Sequence, residues 1–442
     1  MPQDALEIQP ISPRISFTGK NCAIVTDTLP LPGFVPSQEY MAFEPTRAAG
    51  LARLDAFGTR AGRAYSGSRN YDFGPDKRSN VSCLSPWIRH RLISEEEVLR
   101  HVLARHSLST ADKFVQEVFW RAYIKGWLEQ RPSVWAFYRA GLDIALEDMD
   151  RDAGLRADVD AALSGRTGID AFDAWAKELV ATGYLHNHAR MWFASIWIFT
   201  LRLPWEIGAD FFLRHLLDGD PASNTLSWRW VGGLHTKGKT YAARASNISK
   251  YTSGRFNPIH QLCPTADPLI ESEEHPKVGL PLEQRMPRSP YLLLLTEEDC
   301  TPEITASHPP AFVLGLTSTV ARSPGPVGDL AAAFAKASVD DGIARCSSSF
   351  GIEGISEHDD WAASIVAAAK KASVSEVVTS YLPVGPSAEA LQKARKDIED
   401  AGLNLTQVRR PYDTLCWPHA TRGFFALKKK IPVILSELGL QS

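Results

Sequence analysis

Residues able to do chemistry gather most densely between Gly183 and Trp230, in the stretch GYLHNHARMWFASIWIFTLRLPWEIGADFFLRHLLDGDPASNTLSWRW. On a helix, Asn187, Arg190, Met191 and Ala194 fall at i, i+3, i+4 and i+7 and line one face. Phe193, Ile196, Trp197 and Thr200 fall on another and read as core. An arginine among so many apolar residues needs an anion, because a buried unpaired charge is costly. Asp218 and Asp220, in the loop after the second helix, are the candidates; the plainer alternative is a structural ion pair and an Asp-Gly turn.

Three other stretches carry reactive or charged groups. Ser79, Asn80, Ser82 and Ser85 surround a helix start, where hydroxyls and backbone N–H groups can hold phosphate or simply cap the helix. Glu117 and Arg121 stand four residues apart on the helix KFVQEVFWRAYIKGWLEQRP, a spacing that suits a modest ion pair. After Trp230, five Lys or Arg residues lie between Lys237 and Arg255 among glycines and serines. These are either a solvated loop or contacts to a nucleic-acid backbone, and pattern alone leaves both open.

The elements that must position these groups follow from composition and periodicity. A chain of 442 residues with ordinary apolar content and a net charge of -3 is long enough for two or three globular domains. Its charge excludes a general nucleic-acid coat, so any nucleic-acid contact requires basic residues gathered on one face. No uncharged apolar run is long enough to span a membrane, and the N-terminus lacks the basic and apolar segments of a signal peptide, so a cytoplasmic protein is expected. Cys22, Cys83, Cys263, Cys300, Cys346 and Cys416 form no C-x-x-C pair, and no metal site is expected.

Residues 1–41, rich in proline, read as an irregular arm. Helical spacing dominates 42–264, residues 265–290 read as a proline-rich and acidic linker, and 291–442 alternates strands with helices. That alternation predicts a mostly parallel sheet in a smaller α/β segment. The segment carries no G-x-G-x-x-G or G-x-x-x-x-G-K signature, so nothing supports nucleotide binding there. The aromatic-rich tail YDTLCWPHATRGFFALKKKIPVIL is expected to pack back on the helices.

Taken in order, Gly183-Tyr184, His186-Asn187, Arg190-Met191, Asp218-Gly219-Asp220, Asn224 and Trp228-x-Trp230 resemble the flavin-binding region of the photolyase/cryptochrome family. The resemblance covers roughly Phe43 to Pro258 and implies a mainly α, photolyase-type catalytic domain with FAD as its cofactor. It further implies that Ser82, Leu84 and Ser85 belong to the loop wrapping the cofactor's pyrophosphate, with Val81 in place of the family's threonine. Tyr65 matches a tyrosine near the cofactor phosphate. Phe114 replaces a tryptophan, and Glu117, Trp120 and Arg121 match an E-x-x-W-R pattern. In that pattern the glutamate hydrogen-bonds a damaged base, the tryptophan stacks on it and the arginine lies on the flavin side.

By the same resemblance, Arg190 paired with Asp218 supplies positive charge beside the flavin ring, and Asp220 completes the cofactor's acidic motif. Asn224 stands near the ring's proton-bearing nitrogen, where asparagine is the photolyase-like choice. Trp230 is a second stacking face and Met191 presses on the base's apolar edge. Asn187 and Met191 occupy the places where enzymes acting on (6-4) products have histidines. Trp228 and Trp205 match the first two members of the family's electron chain; the third position falls near Ala162, with Trp192, Trp197 or Tyr184 as substitutes.

The function implied is light-dependent repair of cyclobutane pyrimidine dimers turned out of damaged DNA, with no action on (6-4) products. Lys237 and Lys239 are the expected DNA contacts. A blue-light photoreceptor without repair is the alternative, and a flavin-binding remnant the third. The family usually carries its α/β antenna domain before the catalytic domain, whereas here an α/β segment follows, as a permuted or reduced antenna. A second chromophore is left open, and a monomer that touches no membrane is expected.

Overall fold

A computed structural model describes residues 43–304, 306–357 and 360–440; the arm expected over 1–41 lies outside them. The first half is helical: α1 (Arg47–Gly58), α2 (Arg63–Ser68), α3 (Ser85–Arg89), α4 (Glu95–Leu103), α5 (Leu108–Glu129) and α6 (Ser133–Arg151). It continues with α7 (Ala153–Leu163), α8 (Asp170–Thr182), α9 (Asn187–Ser195), α10 (Trp205–His215), α11 (Pro221–Val231) and α12 (Ala245–Tyr251). Residues 265–290 form no helix.

The second half alternates β1 (Tyr291–Thr296), β2 (Phe312–Leu316), α13 (Asp329–Phe350), β3 (Gly354–Ser356), α14 (Trp361–Ala372), β4 (Glu376–Ser380), α15 (Pro386–Asp400) and β5 (Asn404–Val408). A return segment of α16 (Pro411–Cys416), α17 (Phe425–Lys428) and α18 (Ile431–Glu437) follows.

Local chemistry sets the ends of the helices that matter most. Gly183 ends α8 in the left-handed region (φ 65°), and a Cβ there would meet Leu217 Cγ at 2.6 Å. Asp220 caps α11 by accepting from Ser223 N at 2.9 Å, with Pro221 at the first helical position. Among these helices α9 alone runs on into a π turn, Ile196–Thr200, all five residues of which are buried.

The sheet is parallel with order β3-β2-β1-β4-β5. Strand alternation divides its side chains cleanly. Tyr291, Leu293 and Leu295 enter one core with Leu54, Trp87, Phe119 and Trp417, so that face of the sheet and the helical half share a single apolar interior. Leu292, Leu294, Phe312 and Leu314 enter a separate core with Ile365 of α14 and Ile398 of α15. The three-residue edge strand β3 has no counterpart in the sequence reading, because Gly-Ile-Ser is too short to show a period. Helix α13 also runs well past the alanine-rich stretch with which it opens. Gly342, in its middle, lies so close to Leu295 and Cys300 that a Cβ would come within 2.9 Å of Leu295 Cδ1; packing sustains the helix where propensity would weaken it.

The return segment closes on α5. Trp417 is fully buried against Gly126, where a Cβ would meet its ring at 2.7 Å. Glu129, at the end of α5, accepts from Tyr381 Oη and Val384 N, both at 2.6 Å, tying that helix to the loop after β4.

Candidate flavin and lesion site

The residues singled out in the sequence fall into two layers. In the deeper one, Arg190 donates to Asp218 Oδ2 at 2.9 Å and to Leu185 O at 3.0 Å. Its guanidinium lies 5.3 Å from the Tyr184 ring. Burial lowers the guanidinium pKa and Asp218 more than restores it, so the net shift is upward. Tyr184 packs with Val81 and Cys83, and Tyr65 and Phe43 pack against that cluster, which brings the serine loop beside Arg190. Arg53 of α1 donates to Ser82 O at 2.7 Å and to Val81 O at 3.1 Å, fixing the loop's carbonyls toward α1. Ser82 Oγ accepts from Leu84 N at 3.4 Å, Leu84 is buried, and Ser85 opens α3. Asn80 instead spends its amide on Ser68 O and Tyr71 O, which makes it a brace for the loop.

Phe114 is buried edge-on to Tyr65 at 5.2 Å. Asn224 donates from Nδ2 to Ala209 O at 2.7 Å, which fixes the amide and leaves Oδ1 free to accept. Asp218 Oδ1 is buried without a partner among the described residues. A buried carboxylate oxygen lacking a donor, on an aspartate paired with an arginine, suits a polar heteroaromatic ring with its own N–H and C=O groups. The donor set therefore fits a flavin.

Asp220 and Arg121 belong to a different environment. Asp220 Oδ2 lies 3.3 Å from both Arg121 Nη2 and Lys125 Nζ and 3.7 Å from Arg89 Nε. Burial pushes the Asp220 carboxyl up, and Lys125, Arg121 and Arg89 together outweigh it, holding the group ionised far below the usual range. Arg121 also lies 3.4 Å from Glu95 Oε1. The i, i+4 pair between Glu117 and Arg121 does not form, because Arg121 turns inward to these acids and Glu117 pairs with Arg69 at 2.7 Å.

The outer layer is open. Glu117, Trp120, Asn187 and Trp230 are exposed and Met191 is half-buried. Crowding by protein raises the Glu117 pKa against the pull of Arg69 and Lys113. One face of Trp120 is covered by Phe424, with ring centroids 4.1 Å apart and planes 14° from parallel. Phe424 itself is buried, so it backs the indole and leaves the rest of Trp120, 38 % exposed, to solvent. Trp230 stacks on Tyr241 at 5.6 Å. Lys237 and Lys239 are both exposed on the turn that follows α11.

Trp228 and Trp205 are both buried. The Trp228 ring lies on Gly208, one turn along α10 from Trp205, where a Cβ would meet it at 2.4 Å. Its ring neighbours are Phe193, Phe212 and Trp197, the last at 6.2 Å. Sequence reading missed what adjoins Trp205: Tyr138 of α6 at 5.7 Å, followed by Trp135 at 5.3 Å. Trp135 donates its indole N–H to Glu389 at 2.6 Å. The i, i+3 spacing of two aromatics on α6 was a visible signal, but nothing in the sequence pointed them at α10. Trp192 and Trp197 are fully buried, Trp197 as its core reading expects.

Residues 114–264 match the family model of the FAD binding domain of DNA photolyase, which supports FAD as the cofactor. The match covers less than half of the chain, and over that stretch the chain is similar to the photolyase/cryptochrome family. It is 34% identical over 170 residues to a deoxyribodipyrimidine photo-lyase of Streptomyces griseus, covering 38% of this chain and 36% of that one. It is 29% identical over 245 residues to a cryptochrome DASH of Synechocystis, covering 52% and 47% respectively. A class III photolyase structure from Agrobacterium tumefaciens overlays with a TM-score of 0.39 at 26% identity, covering 47% of this chain and 43% of that one. The chain spans less than half the length of these curated relatives.

Proposed function

We propose that this protein binds FAD within 42–264, scaffolded by 291–442, and uses light to split cyclobutane pyrimidine dimers in DNA. The observation that carries the reading is the layering: Asp218, paired with Arg190, keeps Oδ1 buried without a partner among the described residues, and the buried Asn224 has its amide nitrogen held by Ala209 O. Glu117, Trp120 and Trp230 are instead exposed and offer a base-sized surface to solvent. When bound, reduced FAD supplies an electron to the lesion on illumination.

The chain's own residues do the rest. Arg190 and Asp218 orient and charge-balance the ring, and the Asn224 oxygen holds a proton at the ring's edge. Trp120, braced by Phe424, and Trp230 stack on bases turned out of the duplex. Glu117, whose pKa is raised by crowding, hydrogen-bonds a base carbonyl. Replacing Arg190 or Asp218 with alanine leaves the other charge unpaired and should release FAD from the purified protein. Stoichiometric FAD in both variants contradicts the assignment.

Action on (6-4) products is not expected. His186 Nε2 is committed to Arg69 O at 3.0 Å and His188 Nδ1 to Asn70 O at 2.8 Å, and His188 also stacks on Trp192. Burial lowers both, His186 to about 4, so neither is a proton donor toward the pocket at neutral pH. Electron entry from solvent is assigned to Trp205, Tyr138 and Trp135, where Glu389 stands ready to take the proton of an oxidised indole. Trp135→Phe should slow photoreduction several-fold with an external donor; a rate equal to the parent's moves the route to Trp197. The match to a cryptochrome DASH favours, as a second reading, a photoreceptor that uses the same site without turnover.

A further inference from the structure

Between Asp413 and Glu437 the chain carries Arg422, Lys428, Lys429 and Lys430 and no acid, in a protein whose net charge is -3. None of the four forms an ion pair among the described residues, whereas most arginines of the interior are paired. Arg422, Lys429 and Lys430 are exposed and Lys428 half-buried. Beside them Phe425 is 76 % exposed, an unusual placement for a large apolar ring.

The fold holds this knuckle against the lesion face. Tyr123 Oη donates to Arg422 O at 2.8 Å and Arg131 Nη2 to Thr421 O at 3.0 Å. Phe424 stacks on Trp120, and its neighbour in sequence, Phe425, points to solvent. The same Tyr123 Oη lies 3.2 Å from His235 Nε2, and His235 precedes Lys237 and Lys239 on the turn after α11. Two acid-poor basic segments therefore flank one aromatic strip, with Trp120 and Tyr123 between them. Unneutralised cations interleaved with exposed aromatics match a nucleic-acid strand, whose phosphates take the charges and whose bases take the rings.

We propose that Arg422, Phe425 and Lys428 to Lys430 form a second wall of the DNA-binding face, gripping the backbone beside the lesion while Phe425 stacks on an adjacent unpaired base. The proposal rests on the repair reading above. It extends that reading to a segment that reaches the site only because the α/β half returns to α5.

The test is a titration of the full-length, FAD-loaded protein against a dimer-containing duplex at several salt concentrations. The parent is compared with Lys428→Gln/Lys429→Gln/Lys430→Gln, with Phe425→Ala, and with Lys370→Gln/Lys371→Gln on α14 as the control. The triple variant should bind about tenfold more weakly at low salt, with a salt slope smaller by about two. Phe425→Ala should weaken binding about fivefold at an unchanged slope, and the control should match the parent. FAD content and dimer repair at saturating DNA are read in the same samples.

If the triple variant keeps the parent's affinity and slope while FAD and repair are intact, the wall is wrong and the repair reading stands. A parent that holds FAD yet neither binds nor repairs the duplex overturns both. Binding to phosphatidylserine vesicles that the triple variant loses, with DNA affinity unchanged, overturns the wall in favour of a membrane surface.

Discussion

The junction between the sheet and the helices and the face around Trp120 are built from the same residue types with opposite outcomes. At the junction, Arg89 donates to Glu298 at 2.6 Å and to Gly219 O at 2.9 Å. Arg91 grips Asp413 at 2.7 Å and Arg410 grips Asp299 at 2.6 Å, with Lys125 between Asp220 and Glu298. All of these side chains are buried, and each charge is answered by another. At the Trp120 face, Lys237, Lys239 and Lys428 to Lys430 have no partner among the described residues, and aromatic rings reach solvent. Neutralised charge fixes one body to the other; unneutralised charge is left for a partner. The loop Asp218-Gly219-Asp220 joins the two, since Asp220 belongs to the junction and Asp218 faces the cofactor side.

The largest expected effect breaks the junction. Arg89→Ala leaves Glu298 and Asp220 buried with fewer cations and should cost about 3–5 kcal/mol, read by urea unfolding. A variant of parental stability would mean that the shared apolar core alone holds the halves together.

A smaller effect tests the seam at Glu129. Burial raises this carboxyl to about 7, against the bonds from Tyr381 and Val384 that lower it. Because the folded pKa lies above the unfolded one, its contribution is fully favourable below about pH 4.3 and is lost as pH rises to about 7. Glu129→Gln should flatten that fall, gaining on the order of 1–2 kcal/mol of relative stability between pH 5 and 8. Parallel pH profiles for parent and variant would show that Glu129 is ionised at no cost.

The smallest change in stability comes from the open face. Glu117→Gln removes an exposed pair with Arg69 and should shift unfolding by less than about 0.5 kcal/mol. It should nevertheless lower the repair yield without abolishing it. A large loss of stability would make Glu117 a structural residue and blur the contrast between the two regions.

How much of this was legible beforehand follows from how local each signal is. The strand-helix alternation after residue 290 depends on short-range pattern and is present in the fold, whereas pattern offered Arg190 both Asp218 and Asp220, and the family resemblance singled out Asp218, the partner it has. The partners of Arg121 were not legible, because Glu95 and Asp220 are distant in sequence and i, i+4 spacing offered Glu117 as a nearer choice. Tyr138 beside Trp205 and Phe424 behind Trp120 were hidden for the same reason. Both contacts need the packing of helices that no local period specifies.

The central claim is that the open face and the flavin site behind it act together on damaged DNA. It is tested most directly by reducing the FAD-loaded protein, illuminating it with blue light over DNA containing cyclobutane dimers, and counting the dimers that remain. The account predicts a light-dependent fall in dimers, absent in the dark, and no change in (6-4) products. Dimers that persist under illumination, with FAD bound and reduced, would contradict it and leave the photoreceptor reading in its place.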